Sequence, residues 1–397
     1  MSDDRTPEPS PPHFETIAIR TQAPTTPERE HSVPLYLTSS FQFDDAEHAR
    51  ALFADEIPGN IYSRYANPNT DEFIRKLCLL EGGEDGIATA SGMSAVFTAI
   101  AARVSAGDHV LASRALFGST HQLFTRILPR WGVVSDYADV SDPGSWERLL
   151  RPTTRLIFVE TPSNPGLELI DLEWLGALAR SRGIPLVVDN CFATPYLQRP
   201  LALGASVVIH SATKFIDGQG RTLGGAIVGD RAYLADCRFF ARHTGPAMSA
   251  FNAWVLSKSL ETLAVRMDRH CQNALTLARH LEGHPALEAV RYPFLPSHPQ
   301  YALARRQMAQ GGGIVALVLK GGLEAGRRVL DRVQLVSHSA NLGDTRTIVT
   351  HPASTTHSKL TPAERQAVAI SDGLIRVSVC LEHVADIIAD LDQALGS

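Results

Sequence analysis

Between about residue 86 and residue 230, short apolar runs that stop at polar residues alternate with stretches of helical period. The runs are Gly86-Ile87-Ala88-Thr89, His109-Val110-Leu111-Ala112, Gly132-Val133-Val134, Arg155-Leu156-Ile157-Phe158-Val159-Glu160, Leu186-Val187-Val188-Asp189 and Val207-Val208-Ile209-His210. Such runs predict strands buried on both faces. Ser91-Gly92-Met93 opens a helix with Met93, Val96, Phe97 and Ile100 at helical spacing. Asp142-Pro143 opens another, and Asp171 caps a third that carries Leu172, Leu175 and Leu178 and is closed by Gly183. The alternation predicts an α/β chain with a doubly wound, mostly parallel sheet whose ligands sit beyond the carboxyl ends of its strands. Gly224 to Gly229 reads as one more strand, leading away from that rim.

The flanks read differently. The first dozen residues are polar and proline-rich, which predicts a disordered tail. An extended arm follows to about residue 60, helical only from Asp44 to Phe53, and a short helix is expected from Asp71 to Leu80. One long helix is expected from Asn252 to His270, leading into a second unit. There the pattern gives a strand through Gly311 to Leu319 and a helix from Leu323 to Val333. Thr361-Pro362-Ala363-Glu364 is a capping box, Leu374 to Val379 an antiparallel strand, and a last helix uses Val384, Ile387, Ile388 and Leu391. The expected division is an arm over 1–60, a large domain over 61–260 and a smaller C-terminal α+β domain over 261–397.

Composition narrows the function classes. A chain of 397 residues exceeds one ordinary core. A net charge of -5 offers no general attraction to nucleic acid or to acidic membranes. The five cysteines lie far apart without a C-x-x-C pair, which points to free thiols in the cytoplasm and to neither a disulfide framework nor a zinc site. No apolar run reaches the ~20 residues of a membrane span. Gly218, Gly220 and Gly224 miss the dinucleotide fingerprint because residue 223 is leucine, and no nucleotide-phosphate loop, zincin or serine-esterase motif occurs.

Candidate chemistry gathers where two strands stop. The apolar run through Ile209 ends in His210-Ser211-Ala212-Thr213-Lys214, and its predicted neighbour ends in Asp189. A lysine half-removed from water has a lowered pKa and a nucleophilic amine. An acid beside it on a parallel strand suits a ligand with one end electrophilic and the other basic. Gly92, at a helix start, lets an anion approach free backbone N–H groups closely.

In order and spacing, Asp189 followed by His210-Ser211-Ala212-Thr213-Lys214-Phe215-Ile216-Asp217-Gly218-Gln219-Gly220-Arg221 resembles the pyridoxal-phosphate enzymes of the aspartate-aminotransferase fold (fold type I). More narrowly, it is similar to the family of methionine and cysteine metabolism that includes cystathionine synthases, lyases and homoserine-ester sulfhydrylases. The similarity runs through nearly the whole chain after residue 14. It implies that Lys214 carries pyridoxal 5'-phosphate through its amine and that Asp189 holds the pyridine nitrogen. Ser211, Thr213, Gly92 and Met93 would anchor the phosphate, joined by Tyr62 and Arg64 of a neighbouring subunit. Phe117 would stack on the ring, and Asn164 would bond the ring oxygen. Arg376 would fork the substrate carboxylate, with Asn341 and Thr356 beside it.

Two departures stand out. Most relatives carry tyrosine where this chain has Phe117, so the ring can stack but cannot transfer a proton. A serine hydroxyl common in relatives is here the amide of Asn341. The resemblance implies a homotetramer of site-sharing dimers and γ-replacement on O-succinylhomoserine by sulfide. Cysteine as sulfur donor, an acetyl ester, γ-elimination and a cofactor-bearing regulator without turnover remain open.

Overall fold

The structure, a computed structural model, describes residues 12–355, 358, 365 and 370–396. Seven strands form the larger sheet: β1 (Asp85–Thr89), β2 (His109–Ser113), β3 (Val134–Ala138), β4 (Thr154–Glu160), β5 (Leu186–Asp189), β6 (Val207–Ser211) and β7 (Gly225–Gly229). Their order is β1-β7-β6-β5-β4-β2-β3, and β7 alone runs against its neighbours. The expected doubly wound sheet is present, with its polar run ends gathered on one rim.

Both faces of the sheet are covered, which is why its strands read as continuous apolar runs. Alternate residues of β4 enter opposite clusters. Leu156 and Phe158 pack with Ala95, Val96 and Ala99 of the helix Gly92–Ala101. Ile157 and Val159 pack with Leu172 and Leu175 of the helix Leu172–Ser181. Asp171 caps that second helix, its carboxylate accepting the Trp174 N–H.

The smaller sheet comprises β8 (Leu287–Arg291), β9 (Ile314–Leu319), β10 (Ser337–His338), β11 (Ile348–Thr350) and β12 (Leu374–Ser378), in the order β10-β11-β12-β9-β8. As expected, β12 pairs antiparallel, with β11 on one side and β9 on the other. All five of its residues are buried, Arg376 and Ser378 included. Both polar side chains bond within the protein, Arg376 to the Asn341 carbonyl and Ser378 to the Gly343 N–H.

Several elements depart from the pattern. The arm carries a helix, Phe14–Arg20, that its period does not announce. Packing holds it: Ala18 is buried, and Phe14 sets its ring edge against Tyr196 at 5.1 Å between centroids. The helix expected over Asn252 to His270 breaks into Ala250–Leu260 and Leu263–Leu281. At the break, the Ser259 carbonyl accepts the Arg266 guanidinium at 2.9 Å. Arg266 also donates to the carbonyls of Phe215 at 2.6 Å and Ile216 at 3.0 Å, directly after Lys214. The break therefore braces the lysine loop. Gly132 ends a helical turn at φ 76°, so its strand starts later, at Val134. The capping box at 361–364 and Thr356 lie outside the described residues. No helix among the described residues is long and apolar enough to cross a membrane.

Candidate active site

Three parallel strands end side by side: β4 on Glu160, β5 on Asp189 and β6 on Ser211. Glu160 and Asp189 are register partners, as are Asp189 and Ile209. Lys214 follows β6 in a turn closed by its own N–H to the Ser211 carbonyl at 3.1 Å and by the Gly218 N–H to its carbonyl at 2.8 Å. Burial holds its amine below the ordinary lysine value; the Arg376 charge adds to that, and the Cys191 thiol opposes it. The amine donates to Asn341 Oδ1 at 2.5 Å.

Asp189 accepts the Cys191 N–H at 3.0 Å. Burial raises its carboxyl to about 6, against the pull of that N–H and of His210. Glu160 is also buried and is pushed well above the usual carboxylate range, by burial first and by the charge of Asp189 second. It accepts the Phe117 N–H at 2.8 Å and also the Asn164 N–H. Phe117, 42% exposed, thereby stands at the start of the helix Gly118–Gln122, free to cover a flat ligand.

The helix Gly92–Ala101 starts against the end of β6. A Cβ on Gly92 would lie 2.6 Å from Ser211 Cβ, so only glycine permits this approach. Ser91 caps the Ser94 N–H, which leaves the Gly92 and Met93 N–H groups at the helix mouth beside the Ser211 hydroxyl. Met93 otherwise receives the Thr120 hydroxyl on its sulfur at 3.8 Å. Thr213 is held by the Gly224 backbone, accepting its N–H at 3.1 Å.

Arg376 reaches the same space from β12. Its guanidinium donates to Asn164 Oδ1 at 3.1 Å, to the Asn341 carbonyl at 2.9 Å and to the Ala340 carbonyl at 3.2 Å. Burial lowers its pKa to about 10, and its Nε is buried with no partner among the described residues. The guanidinium thus keeps one N–H that no group among the described residues uses.

The structure thus brings together Lys214, Asp189, Ser211, Thr213, Gly92, Met93, Phe117, Asn164, Asn341 and Arg376. It does not bring in Tyr62 or Arg64. The Arg64 guanidinium lies over the Tyr65 ring at 4.7 Å and the Tyr62 ring at 5.5 Å, and it donates to the Arg242 carbonyl. Glu160 and Arg266 escaped the sequence reading. Glu160 closes an apolar run much as Asp189 does, but only its register with Asp189 marks it; Arg266 sits in a helix face that gives no sign of reaching the loop.

The assembled groups fit pyridoxal phosphate. A half-buried amine suits an aldehyde, and a buried carboxyl suits a protonated ring nitrogen. The glycine-permitted helix mouth beside the Ser211 hydroxyl suits a phosphate, and the exposed phenyl ring suits a flat heterocycle. The family model for Cys/Met metabolism PLP-dependent enzymes matches residues 15–396. The chain belongs to this family. Its cofactor is pyridoxal phosphate.

Within the Cys/Met metabolism family, the chain is 49% identical to O-succinylhomoserine sulfhydrylase of Pseudomonas aeruginosa, covering 97% of this chain and 95% of that one. It is 45% identical to L-methionine gamma-lyase of Porphyromonas gingivalis, covering 92% of each. A Campylobacter jejuni crystal structure that holds N'-pyridoxyl-lysine-5'-monophosphate superposes with a TM-score of 0.92 at 34% identity, covering 97% of this chain and all of that one. That likeness shows the fold type expected from the sequence.

Proposed function

We propose that the protein replaces the succinyloxy group of O-succinyl-L-homoserine with sulfide, releasing succinate and forming L-homocysteine, a step of methionine biosynthesis. The observation that carries the choice is Phe117. The site keeps a ring where stacking is needed and offers no phenol there, in a chain 49% identical to a sulfhydrylase of this specificity. That leaves Lys214 as the group placed to move protons.

The cofactor, when bound, supplies the electron sink that makes the substrate's Cα–H acidic. Lys214 would hold it, with Asp189 at the ring nitrogen, Asn164 at the ring oxygen and Phe117 on the ring face. Gly92, Met93, Ser211 and Thr213 would take the phosphate. Arg376 would bind the substrate carboxylate, with Thr356 beside it, and so orient the Cα–H toward Lys214. Lys214, freed when the substrate amine takes its place, would carry the Cα proton to the cofactor's aldehyde carbon and, neutral again, would take a proton from Cβ. The C–O bond at Cγ breaks and succinate leaves; sulfide forms the new C–S bond at Cγ, and Lys214 returns the protons.

On the same reading, Tyr62 and Arg64 complete the phosphate site of a second subunit in a cytoplasmic homotetramer. Both side chains are exposed on the single chain, which supports that. The division at residues 260/261, between the helices Ala250–Leu260 and Leu263–Leu281, belongs to the proposal too. Purified protein should be assayed with succinyl and acetyl esters against sulfide and cysteine. Homocysteine formation fastest with the succinyl ester and sulfide is expected. Equal or faster reaction with cysteine, or oxo-acid release without added thiol at a comparable rate, would sink the choice.

A further inference from the structure

Asn341 touches both halves of the proposed machinery. Its side-chain oxygen accepts the Lys214 ammonium at 2.5 Å, while its backbone carbonyl accepts the Arg376 guanidinium at 2.9 Å. Its place is rigidly set. Leu342 beside it is buried, and the Gly343 N–H donates to Ser378 Oγ of β12 at 2.9 Å. Gly343, at φ 74°, lies so close to the lysine loop that a Cβ there would sit 2.6 Å from the Phe215 nitrogen. The loop is thus fastened to the chain on either side of the amine it contacts.

The surroundings of Lys214 make that contact consequential. The titratable groups acting on it are Cys191, just beyond β5, and Arg376 on β12; Cys191 in turn faces Asp189 at the end of β5 and Glu160 at the end of β4. Burial and the Arg376 charge both disfavour an ammonium ion. A lysine that takes a proton from substrate must nevertheless hold it until it is passed on. An amide oxygen is an acceptor only, so Asn341, with Oδ1 turned to the amine, favours its charged form.

We propose that Asn341 is a positioning residue for the free Lys214 amine: its Oδ1 takes one N–H of the ammonium and aims the others at the substrate carbons. This rests on the proposed role of Lys214 as proton carrier. It differs from the carboxylate contact expected of residue 341, because the group contacted is the lysine.

The test uses full-length holoenzyme carrying Asn341→Ala, Asn341→Ser or Asn341→Asp, and the same preparations stripped of cofactor and reloaded. For Asn341→Ala, kcat should fall on the order of tenfold with KM changed less than about twofold. The pH midpoint of cofactor uptake, followed by visible absorbance, should move down by about one unit, because the ammonium has lost its acceptor. Asn341→Asp should move it up, and Asn341→Ser should fall between alanine and wild type. A rise in KM with kcat and the uptake midpoint unchanged would overturn the proposal in favour of a substrate-carboxylate contact. Unchanged values throughout would overturn it as well. Should Asn341→Ala fail to fold, the upward shift in Asn341→Asp decides alone. The uptake midpoint needs no turnover, so it tests Asn341 even if the sulfhydrylase reading fails.

Discussion

Glu160 and Asp189 end neighbouring parallel strands as register partners, two buried carboxyls at the floor of one site. Like charges so placed resist joint ionisation. Folding raises Asp189 from 3.8 to about 6, and Glu160 moves in the same direction. Each therefore binds its proton more tightly folded than unfolded. The resulting stability is fully present below the unfolded pKa and is lost as pH rises through the folded one. Glu160→Gln removes one of the two groups and keeps an acceptor for the Phe117 N–H. In cofactor-free protein, its melting temperature should gain on wild type as pH rises above the ordinary glutamate value of 4.5, where the unfolded chain has lost the proton that buried Glu160 still holds. Calorimetry across a pH series checks this; a constant offset would refute the carboxyl pair.

Gly92→Ala addresses the phosphate end. The added methyl would sit 2.6 Å from Ser211 Cβ and 2.8 Å from Ser211 Oγ, so helix and strand must part. Overpacking of this kind typically costs about 1–3 kcal/mol. Parting them also spreads the N–H groups and hydroxyl that would converge on phosphate. Cofactor affinity should weaken on the order of tenfold, equivalent to ~1.4 kcal/mol. Equilibrium dialysis of pyridoxal phosphate measures it, and unchanged affinity would detach Gly92 from the cofactor.

The large sheet was legible because burial on both faces writes each strand as an apolar run, and each run stops where the rim meets the crevice. Lys214 and Asp189 were legible from the ends of such runs only together with the Ser-x-Thr-Lys order and the spacing between them. What hid were features made by contact across the chain. The helix Phe14–Arg20 depends on Tyr196, and the break near Thr262 depends on Arg266 turning toward Phe215 and Ile216. Glu160 gains its meaning only from β4–β5 register, which a sequence does not state.

Phe117→Tyr restores the missing hydroxyl on a ring that is already half exposed. The backbone N–H held by Glu160 is untouched, so ring placement should survive. A phenol there adds a second proton carrier beside Lys214. The variant should keep its melting temperature and cofactor, and it should release more oxo acid from O-succinylhomoserine in the absence of sulfide. The ratio of oxo acid to homocysteine is the measurement. A ratio equal to wild type would mean that the missing hydroxyl does not steer replacement over elimination.

Lys76 tests how the arm is held to the large domain. Its side chain is fully buried, 3.3 Å from Glu72 and 3.1 Å from Glu261. Glu72 also accepts the Ser257 hydroxyl at 2.7 Å and the Ala23 N–H at 2.8 Å, so one carboxylate joins the helix Pro68–Glu81, the helix Ala250–Leu260 and the arm. Lys76→Met would leave Glu72 buried without its cation, a loss of about 3–5 kcal/mol. Adding Glu72→Gln removes the stranded charge while keeping an acceptor for Ala23, and should recover part of that loss. The single variant should also be cut faster by trypsin at Arg20 or Arg29, since a carboxylate without its cation turns toward water and releases the Ala23 N–H. If Lys76→Met and the double variant melt alike and are cut alike, the buried charge is not what fastens the arm.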